Sequence, residues 1–165
     1  MSYILSTLLP EEKIIYKTGP HWIVFAPTIA NLLIALISLV YGNRVLPNLF
    51  PILGMSLPTF VTSVLFLFAV YQAGSAWILF SFSEYGITNQ RILVKTGLIQ
   101  RQTLELVLKR VESLRVNQTI LGRIFNYGTI VITGTGGSHD FVSNVPTPLT
   151  FRELAQGQIA VQQKE

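Results

Sequence analysis

A chain of 165 residues that is 50% hydrophobic and only 12% charged falls far below the roughly 25% charge of average soluble proteins. Its net charge of +4 is a thin surplus without a basic stripe, which argues against nucleic-acid binding. Without cysteine there are no disulfides or thiolate metal sites, and two histidines lacking a neighbouring carboxylate cluster make structural zinc a poor expectation.

The charge deficit is local, since from His21 through Ser81 the only charged side chain is Arg44. Residues 1–21 precede that stretch and are expected to form a short cytoplasmic segment. Residues 22–41, WIVFAPTIANLLIALISLVY, carry no charge, and at about 1.5 Å rise per residue they match a hydrocarbon layer ~30 Å thick. Residues 59–82 repeat the pattern, so 22–82 is expected to be a two-helix transmembrane hairpin. A cleaved signal peptide has an apolar core of roughly 7 to 15 residues and a small-residue site behind it, which Tyr41-Gly-Asn-Arg-Val45 does not offer. A buried helix of a soluble core would need more surrounding protein than the chain has left.

The connector from Gly42 to Pro58 contains Pro47, Pro51 and Pro58, so it is not a continuous helix and is expected along the far membrane surface. Lys13 and Lys17 before the first span, with Arg91, Lys95 and Arg101 after the second, outweigh Arg44 between them. The positive-inside rule then puts both termini of a multi-pass protein in the cytoplasm. His21, Trp22 and Trp77 are expected as interfacial anchors, with Phe80 and Phe82 completing an aromatic belt. Asn31 and Gln72 lie deep in the two spans, and a mutual hydrogen bond worth ~0.6 to 2 kcal/mol is the expected solution. Ala69, Ala73 and Ala76 would allow close helix approach. No ionisable residue lies within either span, which weakens a transport reading.

From Ser83 onward the period changes. Arg91–Lys95 and Leu98–Arg101 flank a Thr96-Gly97 turn, and Leu104, Leu106 and Leu108 alternate with Glu105, Val107 and Lys109, the period of two of a half-buried strand. Val111–Val116, Thr129–Thr133 and Asp140–Ser143 supply further short strands, which leaves sandwich and barrel both open. Thr147-Pro148 offers an N-cap and first helical residue, Thr150 and Glu153 have capping-box spacing, and Phe151, Leu154, Ala155 and Ile159 share one face of a closing amphipathic helix.

Leu9-Pro-Glu-Glu-Lys-Ile-Ile-Tyr16, His21-Trp22, Ile87-Thr-Asn-Gln-Arg-Ile-Leu93 and Leu121-Gly-Arg-Ile-Phe-Asn-Tyr-Gly-Thr129, in this order and spacing, resemble the bacterial membrane-flanked pleckstrin-homology-type family. The resemblance spans most of the chain. It implies a pleckstrin-homology (PH)-like split barrel with a C-terminal helix over residues 83–165, directly following a transmembrane hairpin, in a bacterial cytoplasmic membrane or an equivalent internal membrane. Eukaryotic domains of this kind that bind phosphoinositides carry a dense basic pattern around their first hairpin. Here Lys95 and Arg101 are separated by an uncharged apolar stretch, so that specific activity does not carry over.

Thr133-Gly-Thr-Gly-Gly-Ser-His-Asp140 lacks the Lys-Ser/Thr ending of a P-loop. As a Ser-His-Asp triad it fails because consecutive residues of a strand point to alternating faces. It reads as a glycine-rich hairpin loop. Asn126-Tyr127-Gly128 reads as a stop for a short helix, through residues tolerant of left-handed backbone. The membrane- or partner-facing candidates are Lys95, Arg101, Lys109, Arg110, Arg115 and Arg123, each worth about 1 kcal/mol near anionic headgroups. No nucleophile, base and oxyanion arrangement is visible, and no cofactor or metal is expected. The expected function is a non-enzymatic scaffold or assembly accessory that docks other membrane proteins at the cytoplasmic surface, with self-association as an option. The alternative is a module that binds a lipid headgroup or small ligand, with membrane lipids as partners and no nucleic acid.

Overall fold

The computed structural model describes residues 3–45, 56–97, 102–135, 137 and 139–162. They divide into two compact units, one comprising Met1–Ile23 with Ile78–Glu165 and the other Val24–Trp77.

In the first unit, β1 (Ile14–Thr18), β2 (Glu84–Thr88), β3 (Arg91–Thr96) and β4 (Gln102–Val107) form an antiparallel sheet in that order. A second antiparallel sheet holds β5 (Val111–Asn117), β6 (Tyr127–Gly134) and β7 (His139–Pro146). A 3-10 turn, Leu108–Arg110, joins the sheets, with Leu108 buried at the joint. Two short helices, α1 (Tyr3–Thr7) and α4 (Ile120–Ile124), and a longer one, α5 (Pro148–Gln162), complete the unit. This is the split barrel capped by a C-terminal helix that the family resemblance implied.

Side-chain alternation decides what faces inward. On β4, Leu104 and Leu106 are half-buried while Thr103, Glu105 and Val107 are exposed, as the period of two requires. Ile130 and Ile132 of β6 meet Val116 and Leu114 of β5 in register, and Phe151 and Ala155 of α5 close the core from one side. Many of the core-facing strand positions, such as Ile87, Ile92, Ile130, Ile132, Val142 and Val145, are β-branched, and such side chains fit a pleated surface buried on one face. Thr147 precedes α5 with a φ of 45°, and its hydroxyl, expected as an N-cap, instead meets the Tyr16 hydroxyl at 3.1 Å. A β-branched residue is strained there, and the hydrogen bond from β1 holds it.

The N-terminal residues, expected as a separate segment, build part of this barrel. β1 pairs with β2 from Ile14 opposite Thr88 to Thr18 opposite Tyr85. Ile4 of α1 is fully buried against Gly86, where a Cβ would lie 2.8 Å from its Cδ1. Between them, the Glu12 carboxylate accepts from Leu9 N–H at 2.8 Å, Thr88 Oγ1 at 2.7 Å, and Arg91 Nε and Nη2 at 2.9 Å each. Arg91 also donates to Glu105 at 2.6 Å and to the Thr7 carbonyl at 2.8 Å.

The second unit is a hairpin of α2 (Ala26–Val45) and α3 (Leu57–Phe82). Two stretches, Trp22–Gly42 and Leu57–Phe82, are long and apolar enough to cross a membrane. Leu33, Ile34, Leu36, Ile37, Phe66 and Leu67 are exposed, and a helix that is apolar all round is at home in lipid or a large core. Pro58 sits in the first turn of α3, where its missing N–H breaks no intrahelical bond. Pro47 and Pro51, expected in the connector, lie outside the described residues.

The expected bond between Asn31 and Gln72 is replaced by another arrangement. Asn31 Nδ2 donates to the Leu65 carbonyl at 3.1 Å, Thr62 Oγ1 donates to Ser38 Oγ at 3.1 Å, and Gly42 abuts Pro58. That register sets Asn31 against the level of Leu65, about two helical turns from Gln72 along α3. Gln72 Oε1 is buried with no hydrogen-bond partner among the described residues. Ala69 and Ala76 are buried, as small residues at a helix contact should be.

Candidate functional site

After β5 the chain makes one turn of helix, and its packing turns apolar side chains outward. Thr119 caps α4 by accepting from Gly122 N–H at 3.0 Å, and Gln118 Nε2 donates to the Tyr127 carbonyl at 3.1 Å. A Cβ on Gly122 would lie 2.7 Å from the Tyr127 carbonyl oxygen, so α4 sits on the start of β6 at a distance only glycine permits. Asn126 then reverses the chain with a φ of 56°, the left-handed conformation asparagine tolerates. With its glycine turned inward, α4 leaves Ile120 82% and Ile124 69% exposed, and Leu121 and Phe125 are exposed beside them.

This apolar knob continues onto the N-terminal segment. The Phe125 ring meets Trp22 edge-on at 5.6 Å, and His21 lies against both Trp22 at 5.3 Å and Tyr127 at 5.4 Å. His21 N–H donates to the Asn144 carbonyl at 2.7 Å, and its Nδ1 accepts from Ile23 N–H at 3.2 Å. Burial lowers the His21 pKa below its ordinary value of 6.5. Trp22, half exposed, is also the first residue of the first membrane-length stretch. His21 and Trp22, expected as interfacial anchors, are thus built into the barrel unit, whereas Trp77 belongs to the hairpin unit and is exposed.

Beside the knob lies a cleft of about 800 Å³ open to solvent, between the end of β5, α4 and the first turns of α5. Arg123 and Arg152 line it, together with Asn117, Gln118, Asn126, Thr119 and Thr129, and among the described residues no Asp or Glu does. Arg152 Nε is buried without a hydrogen-bond partner among the described residues.

The five described basic candidates do not converge. Lys95 lies over the Tyr3 ring at 5.3 Å, a cation–π contact that ties α1 to β3. Lys109 and Arg110 are exposed on the 3-10 turn, roughly 20 Å along β5 from the cleft. Arg115 is exposed on β5, and of the five described candidates only Arg123 reaches the cleft. Arg101 lies outside the described residues. Arg152 escaped the sequence reading because it stands inside a helix-capping pattern, and nothing in that pattern records which loop lies opposite. The Thr133–Asp140 stretch joins β6 to β7, with Gly137 at φ 79° and His139 Nδ1 bonded to Thr133 Oγ1 at 3.2 Å. Ser138 lies outside the described residues.

The family model described as the bacterial PH domain matches residues 23–159, hairpin and barrel together, and the chain belongs to that family. A search of curated proteins finds no match. PH-type domains are in general binding modules.

Proposed function

We propose that this bacterial PH-domain protein is a membrane-tethered, non-enzymatic scaffold that docks other integral membrane proteins through the apolar knob of α4. In this reading the helical pair crosses the cytoplasmic membrane with both termini in the cytoplasm, and the barrel carries out the binding. The observation that carries it is the contact of Phe125 with Trp22. Trp22 opens the first membrane-length stretch, so α4 belongs within a side chain's reach of the level where that stretch leaves the bilayer. Contiguous exposed apolar surface marks interaction sites, and at that level the fitting partner is a helix emerging from the membrane. Burying each exposed isoleucine or leucine would contribute about 1.5 to 3 kcal/mol.

A photocrosslinking side chain at Ile124, compared with one at the exposed Glu153, tests the reading in cells. Adducts with integral membrane proteins are expected from position 124 and not from 153. Adducts confined to lipid or to soluble proteins would refute docking through the knob.

A further inference from the structure

We propose that the cleft between β5, α4 and α5 binds a phosphate-type anion, supplied either by a phospholipid headgroup or by a free phosphate ester. The site is chemically distinct from the apolar knob and does not depend on the scaffold reading. It also lies away from the β3–β4 hairpin that carries Lys95.

Arg91, which is buried, and Arg152, which is half-buried, differ in a telling way. Arg91 has Nε, Nη1 and Nη2 all engaged, by Glu12, Glu105 and the Thr7 carbonyl. That is how a guanidinium is satisfied when its role is to hold the fold. Arg152 has its Nε buried, with no partner among the described residues, on a residue that lines the cleft, and a buried donor left unpaired is costly enough that native proteins rarely keep one without a use. Arg123 approaches the same space from a different element. Since no Asp or Glu among the described residues lines the cleft, the two positive charges border a volume without a fixed counter-charge from those residues.

An anion with several acceptor oxygens answers both groups at once. Guanidinium pairs with phosphate through charge-assisted, often two-pronged hydrogen bonds, and the Asn117 and Asn126 carboxamides supply uncharged donors around it. The cleft volume of about 800 Å³ is within the range of small-ligand sites, roughly 300 to 1,000 Å³. It exceeds what a bare phosphate fills and leaves room for a glycerol or similar substituent. A carboxylate offers fewer acceptor oxygens for two guanidinium groups on separate elements and serves as the control anion.

The test uses the full-length chain with ¹⁵N-labelled arginine, reading the Nε–H signals of Arg152 and Arg123 by NMR, assigned through Arg152→Gln and Arg123→Gln. In detergent, inorganic phosphate and sn-glycerol 3-phosphate are titrated against acetate at matched ionic strength. The expected result is a saturable shift of both signals with the phosphates only. Arg152→Gln should weaken binding at least about tenfold, as loss of a charge-assisted bond predicts, and Arg115→Gln should leave it unchanged. Should Arg152→Gln fail to fold, Arg123→Gln, at an exposed position, carries the same expectation.

Nanodiscs of phosphatidylglycerol and of phosphatidylcholine identify the source. A signal already shifted in the former, and indifferent to added glycerol phosphate, assigns the headgroup; a shift produced only by the soluble phosphates assigns a free ester. No saturable shift in any arm, an equal response to acetate, or an equal loss in Arg115→Gln would overturn the proposal.

Discussion

Replacing Glu12 by glutamine keeps the shape of the side chain and removes the charge at the centre of the N-terminal clasp. Burial by itself raises the Glu12 pKa, but the hydrogen bonds from Arg91, the Leu9 N–H and the Thr88 hydroxyl outweigh it, so the group falls from 4.5 to about 2. That difference corresponds to roughly 3 kcal/mol of native-state stability at neutral pH, and breaking a buried pair by removing one partner costs about 3 to 5 kcal/mol. Glu105 still pairs with Arg91 in the variant, so about 3 kcal/mol is the expected loss. Because the folded pKa is the lower one, this stability is fully present above pH 4.5 and is lost as pH falls toward 2. Denaturant unfolding of the full-length chain in detergent, at pH 7 and across pH 5 to 2, checks both magnitude and slope. Glu12→Gln should flatten the acid limb and speed amide exchange at Tyr16 and Lys17 of β1. A change below 0.5 kcal/mol at pH 7, roughly the size of an exposed pair, with an unaltered acid limb, would refute the reasoning.

Two further outcomes follow from the knob. Gly122→Ala should displace α4 or lose about 1 to 3 kcal/mol, because the atom it meets is the Tyr127 carbonyl rather than a flexible side chain; the thermal midpoint and the Trp22 fluorescence report it. His21, with its pKa lowered by burial, gives stability that is complete above about pH 6.5 and declines below it. The protection of the Ile23 amide relative to its intrinsic exchange rate, which depends on its hydrogen bond to His21 Nδ1, should therefore fall as pH drops below about 6.5, and in His21→Phe that fall should be absent.

The parts that could be read in advance were those whose cause is local. An uncharged run announces a membrane-length helix by itself, the alternation of Leu104 and Leu106 announces one buried face, and Pro148 marks a helix start because its ring fixes its own backbone. β1 was not legible. Ile14–Thr18 is a five-residue strand whose partner follows both long helices, and no periodicity reports a pairing across such a separation. The two carboxamides show the same limit: Asn31 and Gln72 were both visible as polar residues in apolar helices, but helix register, set by contacts such as Gly42 with Pro58, decided that Asn31 would bond the Leu65 backbone. The cleft was half legible, since Arg123 stood out as a free charge and Arg152 acquired its meaning only from the loop folded against it.

The sheet that takes its first strand from before the helical pair and its second from after it has a consequence for biosynthesis. Hydrogen bonds cannot be made through a bilayer, so β1 and β2 can meet only if the intervening chain crosses an even number of times. If the helical pair spans a bilayer as proposed, a chain that threaded one helix and left the other behind would strand Ile14–Thr18 on the opposite side and leave the β2 edge bare. In that topology, barrel closure is a parity check on insertion, because only an even number of crossings returns β1 to the side on which β2 folds.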